Sequence, residues 1–267
     1  MSSSRLSDVE QSLLRRIAFT TRNVREDIEE GTLVSMVHLC GLCSAPVDSK
    51  YSYCFRCKQA TTHRSIVEGV VPLAFAPKDE QFYRDLVNYK RQPTKQTQAF
   101  QRLAILTFFG SRHIPCLEYV YGPIDALGII PSTQGRSKEL LRMLASTFHR
   151  GLPQLDIQYV GSGTGKRRQP AIGDFQVRSD IQGQRILLFD DSWVTGAAVF
   201  SAASDLHAAG AAYVVAVVLG RVLDPAWGPN QIYFKEWQKS GISHTFDPNV
   251  CPVTKRPICP VGRAGWL

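Results

Sequence analysis

The chain has 267 residues, a length that one or two domains would fill. Hydrophobic residues make up 44% and charged residues 20%, which excludes a disordered or collagen-like chain. Thirty-one Lys and Arg against 23 Asp and Glu leave a net charge of +8, which favours anionic partners such as phosphates, nucleotides or nucleic acid. The start, MSSSRLSDVEQ, has no apolar signal core. The longest apolar run, Tyr213 to Leu219, falls far short of the ~18–20 residues of a membrane span. A soluble, cytoplasmic protein with no membrane partner is expected.

The first 30 residues read as an amphipathic helix. Ser7 and Glu10 have capping-box spacing, and Leu13, Leu14, Ile17, Ala18, Val24 and Ile28 recur at roughly helical intervals. Residues 31–64 are polar and Cys-rich, too few for an apolar core of their own. From residue 65 the texture changes. Val67–Phe75 is a strand candidate, Glu80–Lys90 and Gln98–Phe109 are helices, Ala126–Pro131 is a strand and Glu139–Phe148 a helix. Asp156–Val160, Asp174–Val177, Arg185–Phe189 and Tyr213–Leu219 follow as strands, with a helix over Gly196–Ala209. Apolar strands alternating with helices predict an α/β fold, a parallel sheet flanked by helices. The segment from Gly228 is rich in Pro and Gly, and no element is assigned there.

Four of the seven cysteines form two Cys-x-x-Cys pairs, Cys40/Cys43 and Cys54/Cys57, with ten residues between them. Each pair can turn two thiolates onto one ion, and two such turns close a tetrahedral site that favours structural zinc. An iron–sulfur cluster or a redox dithiol pair is the alternative. Four sulfur ligands leave no open position, so catalysis by this metal is not expected. The small zinc ribbon serves as a structural staple or as a nucleic-acid contact, with the staple favoured. His63 is read as a surface residue. Cys116 is read as a core thiol, and Cys251 and Cys259, seven residues apart, as ordinary thiols; His244 completes no metal set with them.

The most informative stretch is residues 185–211, RILLFDDSWVTGAAVFSAASDLHAAGA. An apolar strand runs up to Asp190 and Asp191, at the edge where ligands of parallel sheets bind. Thr195, Gly196, Ala197 and Ala198 then open a helix, whose free N–H groups and dipole suit a phosphate. The plain alternative is an acidic strand end with a threonine cap.

This stretch resembles the phosphoribosyl-pyrophosphate (PRPP) loop of type I phosphoribosyltransferases. Together with the four-Cys head, the chain resembles the ComF branch of that family, linked to competence and DNA uptake in bacteria. The helix ending Tyr89-Lys90 and the run Ile129-Ile130-Pro131-Ser132 are similar to further features of that branch. The resemblance covers most of residues 40–220 and implies a division into an N-terminal helix (1–30), a zinc ribbon (31–64), a phosphoribosyltransferase-like domain (65–227) and a C-terminal tail (228–267).

It further implies that Asp190 and Asp191 are the catalytic acids and hold the ribose hydroxyls. Thr195, Gly196, Ala197 and Ala198 would bind the 5′-phosphate of PRPP or a ribonucleotide. Ser132, Thr133 and Arg136 would form the pyrophosphate loop, with Mg²⁺ accompanying PRPP. The implied reaction transfers the phosphoribosyl group to an acceptor and releases pyrophosphate. The alternative function is a non-catalytic accessory protein of DNA uptake or processing, with a nucleotide-sensing pocket and single-stranded DNA or a DNA-processing protein as partner. Ala198 stands where the family often carries a hydroxyl, and Ser137-Lys138-Glu139-Leu140 replaces an Arg-Gly-aromatic-Asn-Gln run. Both departures bear on phosphate contacts.

Three lesser signals remain. Trp193 could stack on a base, although packing is favoured. The basic segment Gly161–Arg168 lacks the spacing of a Walker A loop and reads as a surface loop. Residues 84–112 hold six basic groups and one acid interleaved with Tyr89, Phe100, Phe108 and Phe109. That pattern suits single-stranded nucleic acid, but a core face fits the aromatics better.

Overall fold

The computed structural model describes residues 6–26, 37–62, 67–91, 94–132, 138–149, 151–161, 170–257 and 259–261. Helix α1 spans Asp8–Ile17 and opens with the expected capping box: the Glu10 N–H donates to Ser7 Oγ and the Ser7 N–H to the Glu10 carboxylate. Such a cap contributes about 1 kcal/mol. The helix does not continue to residue 30. Thr20 and Thr21 close its last turn on the Ile17 carbonyl, and Asn23 then bonds to the Asp247 backbone. Residues beyond α1 run extended, and the Phe75 N–H donates to the Arg22 carbonyl, so this segment covers an edge of the main sheet.

Strands β1 (Val37–Leu39) and β2 (Pro46–Asp48) form an antiparallel hairpin, followed by helix α2 (Phe55–Thr62). Then come β3 (Gly69–Pro77), α3 (Gln81–Arg91), α4 (Gln98–Ser111), α5 (Ile114–Tyr121), β4 (Ala126–Ile129) and α6 (Glu139–Phe148). The remainder is β5 (Ile157–Tyr159), β6 (Phe175–Val177), β7 (Arg185–Trp193), α7 (Ala197–Ala208), β8 (Tyr213–Leu223) and α8 (Gly228–Lys239).

The main sheet is four-stranded and fully parallel, in the order β3-β8-β7-β4. The α/β class with a parallel sheet and flanking helices is therefore as expected. Strand alternation sorts its two faces. Ile186, Leu188, Val214 and Ala216 point to a layer containing α7, α8 and the Cys-rich head. Leu187, Phe189, Val215 and Val217 point to a layer of α1 and α3–α6. A large apolar side chain in either layer contributes ~1.5–3 kcal/mol by its burial. Helix α3 lies close on the sheet because Gly220 of β8 has no side chain. A Cβ there would sit 3.2 Å from Phe82 and would overlap Leu86. Arg102 clamps α3 to α4 through a bidentate pair with the buried Asp85 (2.6 and 2.7 Å).

Several expectations change. β5 and β6 pair with each other, antiparallel, outside the main sheet. β7 runs four residues past Phe189, and α5 and α8 were not foreseen. Both helices carry a proline in their first turn, where its missing N–H costs nothing. α8 packs against β1 and β2, so the Cys-rich head, the helix after residue 227 and the main sheet share one apolar core. No described helix is long and apolar enough to cross a membrane.

Candidate functional site

Strand β4 ends beside Phe189, with Ile129 opposite it, whereas β7 continues beside β8 with Asp190 opposite Val218. Asp190 and Asp191 therefore lie on a strand that outlasts one neighbour, at the carboxyl edge of the sheet rather than beyond the strand. Both are buried. The pair is neutralised from two sides. Lys138 Nζ reaches Asp190 at 3.1 Å and Asp191 at 3.4 Å, and Lys90 Nζ reaches Asp191 at 2.6 Å. Tyr89 donates its phenolic hydrogen to Asp191, and Ser192 Oγ lies 2.7 Å from the same carboxylate.

Burial favours the neutral carboxyl at both acids, but the partners separate them. Burial, reinforced by the negative charge of Asp191, raises Asp190 above the ordinary carboxylate range. Burial would also raise Asp191, yet Lys138, Lys90 and the Tyr89 hydroxyl hold it well below that range. Lys138 loses solvation too, and its two carboxylates more than compensate, so its ammonium persists. The phenol of Tyr89 is pushed up by burial and by Asp191 and stays protonated as a donor. The result is a dry, charged cluster with one carboxylate fixed as an anion.

Three residues beyond Asp191 the backbone turns. Gly196 adopts φ +80° and caps α7 without a side chain of its own to bond the first turn. Only glycine fits, since a Cβ would overlap the Trp193 ring as well as strain the left-handed backbone. Thr195 Oγ1 lies 3.4 Å from the Ala197 N–H. Trp193 itself is buried and packs edge-on to Phe200, 5.2 Å between centroids, so it belongs to the core and not to a base-stacking platform.

The structure thus brings together Asp190, Asp191 and the Thr195–Ala198 turn on one strand-to-helix connection. Ser132 follows β4 at the same edge of the sheet. Thr133 and Arg136 lie outside the described residues, as do His63 and most of the 161–168 loop. Sequence reasoning missed Lys138. A lysine capping the N-terminus of α6 opposes the helix dipole, and that misfit could have marked it as held by acids. The aromatic–Lys pair Tyr89-Lys90 does reach the acids. The basic stretch 84–112 is not a stacking face: Tyr89, Phe100 and Phe109 are buried, Lys90 and Arg102 are ion-paired, and Arg112 pairs with Glu10.

Cys40, Cys43, Cys54 and Cys57 converge, with their sulfurs all within 4.8 Å of one another. Cys43 Sγ and Cys54 Sγ are 3.7 Å apart, too far for a disulfide. Zn–S bonds of about 2.3 Å in a tetrahedron require S···S edges of about 3.8 Å. The Cys54 N–H points at Cys40 Sγ (3.3 Å), a donor suited to a thiolate. The donor set therefore fits a zinc-type ion. The first pair lies on the turn between β1 and β2, whereas the second opens α2 rather than a second ribbon hairpin. Cys116, Cys251 and Cys259, read from sequence as unrelated thiols, also come together, around His113.

No family model and no curated protein sequence matches this chain. Among solved structures, a hypoxanthine phosphoribosyltransferase from Staphylococcus aureus is 13% identical, covering 44% of this chain and 73% of its own, with a TM-score of 0.29. The hypoxanthine-guanine phosphoribosyl transferase of L. donovani is 15% identical over 50% of this chain and 74% of its own, at 0.32. The phosphoribosylpyrophosphate synthetase of Mycobacterium smegmatis is 16% identical over 64% and 60%, at 0.31. At this depth the likeness alone assigns nothing, and a function has to be argued from the residues at the strand ends.

Proposed function

We propose that this chain binds PRPP or a 5′-ribonucleotide at the carboxyl edge of its sheet and transfers the phosphoribosyl group to an acceptor with release of pyrophosphate. One observation carries the reading: a buried acid pair and a helix N-terminus capped only by glycine stand on the same β7–α7 connection. Carboxylates at that edge accept hydrogen bonds from vicinal sugar hydroxyls, and the Thr195–Ala198 turn offers N–H groups and a hydroxyl to the 5′-phosphate. By the family resemblance, Ser132, Thr133 and Arg136 would serve the pyrophosphate and its Mg²⁺. Lys138 neutralises the acid pair and would offer its ammonium to the diphosphate once sugar hydroxyls engage the acids. The anion held at Asp191 favours the positive charge that develops on the ribose as pyrophosphate leaves.

The four-cysteine head beside this domain supports the finer assignment to the ComF branch. Zinc there would be held by Cys40, Cys43, Cys54 and Cys57 and would fix the fold, since all four positions are sulfur. Titration calorimetry with PRPP and Mg²⁺ tests the proposal. Wild type should give binding heat, Thr195→Ala should weaken binding roughly 10- to 100-fold through loss of a hydrogen bond to a charged group, and the double variant Asp190→Asn/Asp191→Asn should abolish it. No heat in the folded wild type would sink it.

A further inference from the structure

We propose that His113, Cys116, Cys251 and Cys259 form a second zinc site, which fastens the C-terminal segment to the start of α5. Their ligand atoms all lie within 4.8 Å of one another, and all but Cys259 are buried. Cys259 Sγ is 3.4 Å from His113 Nδ1. With Zn–N near 2.05 Å and Zn–S near 2.3 Å, a tetrahedral N···S edge is about 3.6 Å. Nε2 of His113 faces the Pro248 carbonyl at 3.4 Å, an arrangement that leaves Nδ1 as the metal-facing lone pair. Three sulfurs and one nitrogen in a closed set select zinc over harder cations.

The backbone supplies independent support, because both cysteine clusters are built from the same two parts. In the first, the Cys40 N–H donates to the Ala45 carbonyl and the Ser44 N–H to the Cys40 carbonyl, with Ser44 at φ 58°. In the second, the Cys251 N–H donates to the Arg256 carbonyl and the Lys255 N–H to the Cys251 carbonyl, with Lys255 at φ 62°. These are the only two non-glycine residues with positive φ among the described residues. The other half of each cluster is a helix start. Cys54 immediately precedes α2 with Cys57 inside its first turn, and His113 caps α5 with Cys116 inside its first turn. A helix N-terminus favours the thiolate form of cysteine. A tight left-handed turn facing a helix N-terminus thus recurs at two places that share no sequence.

The arrangement also accounts for the odd cysteine count. All seven cysteines of the chain lie in the two clusters, four in one and three with a histidine in the other. The fastened segment also docks through Phe246 against Phe109, the Asp247 backbone against Asn23, backbone bonds from Phe246 to Ala18 and from Glu26 to Lys255, and Lys255 on Glu26 at 3.3 Å.

Elemental analysis of the full-length protein, purified without chelator, should give two zinc ions per chain. The absorption fine structure at the zinc edge should average seven sulfurs to one nitrogen over the two ions. Cys251→Ser/Cys259→Ser should retain one zinc and lose the nitrogen contribution, while Cys40→Ser/Cys54→Ser should lose the all-sulfur site. If a variant fails to fold, the wild-type stoichiometry and ligand average still decide. One zinc per chain with four sulfurs, or a native Cys251–Cys259 disulfide found by mass spectrometry, would overturn the proposal.

Discussion

Arg221 Nη1 donates to the Trp193 carbonyl across 3.0 Å, and from the same nitrogen to the carbonyls of Val194 (3.2 Å) and Val222 (2.7 Å). A buried guanidinium at the end of β8 thereby props the turn that leads from the acid pair to α7. Arg221→Met leaves three carbonyls without this donor and should lower stability by roughly 2–4 kcal/mol. Urea melts read the effect.

The left-handed backbone at Gly196 gives a sharper test of the turn. Gly196→Ala meets both the backbone penalty and the Trp193 ring, for a combined loss of about 2–4 kcal/mol. Thermal unfolding should register it, and the surviving folded fraction should bind PRPP more weakly, because the N-terminus of α7 is displaced. A variant as stable as wild type would show that the turn relaxes freely.

Lys138 governs the titration of the acids. In Lys138→Met the cation nearest Asp190 is gone, so its carboxyl, already raised by burial, rises further. Ligand binding that needs ionised acids should then fail at a higher pH in the variant than in wild type. Stability should fall by roughly 3–5 kcal/mol at neutral pH, the cost of stranding buried charge. Calorimetry across a pH series and chemical denaturation measure these separately.

Away from the site, His207 Nε2 lies 3.3 Å from Glu68. The hydrogen bond to Glu68 raises the imidazole above its ordinary 6.5. Burial would raise Glu68, but His207 and the Val214 N–H bring it below its ordinary 4.5. The histidine's contribution is complete below 6.5 and fades as pH rises through its raised folded value. The glutamate's is present above 4.5 and fades as pH falls through its lowered folded value. His207→Gln should therefore be less stable than wild type near pH 5.5, and the gap should close in denaturation curves as pH rises through the histidine's raised folded value.

Much of this was legible in the residues. The continuous apolar runs of β7 and β8, the capping box of α1 and the paired cysteines are local signals, and each appeared where its pattern placed it. The failures share a physical cause. The helical spacing continues through Val24, but Arg22 and Asn23 bond to Phe75 and Asp247, so tertiary contacts overrode periodicity. Lys138 reaches acids 52 and 53 residues away. His113 and Cys259 meet although 146 residues separate them. Ligand sets assembled from distant segments leave no spacing to read.

The close approach of α3 at Gly220 has a consequence for the acids on the other strand. Tyr89 and Lys90 sit at the last turn of α3, whose earlier turns, Phe82 and Leu86, rest over that glycine. The missing side chain works as a shim of zero thickness under one end of a lever. A methyl group at Gly220 would press on Leu86 and Phe82, the side chains that seat the helix carrying this phenol and ammonium. The chemistry of the acid pair is in this way set from beneath a neighbouring helix, by a position that never touches it.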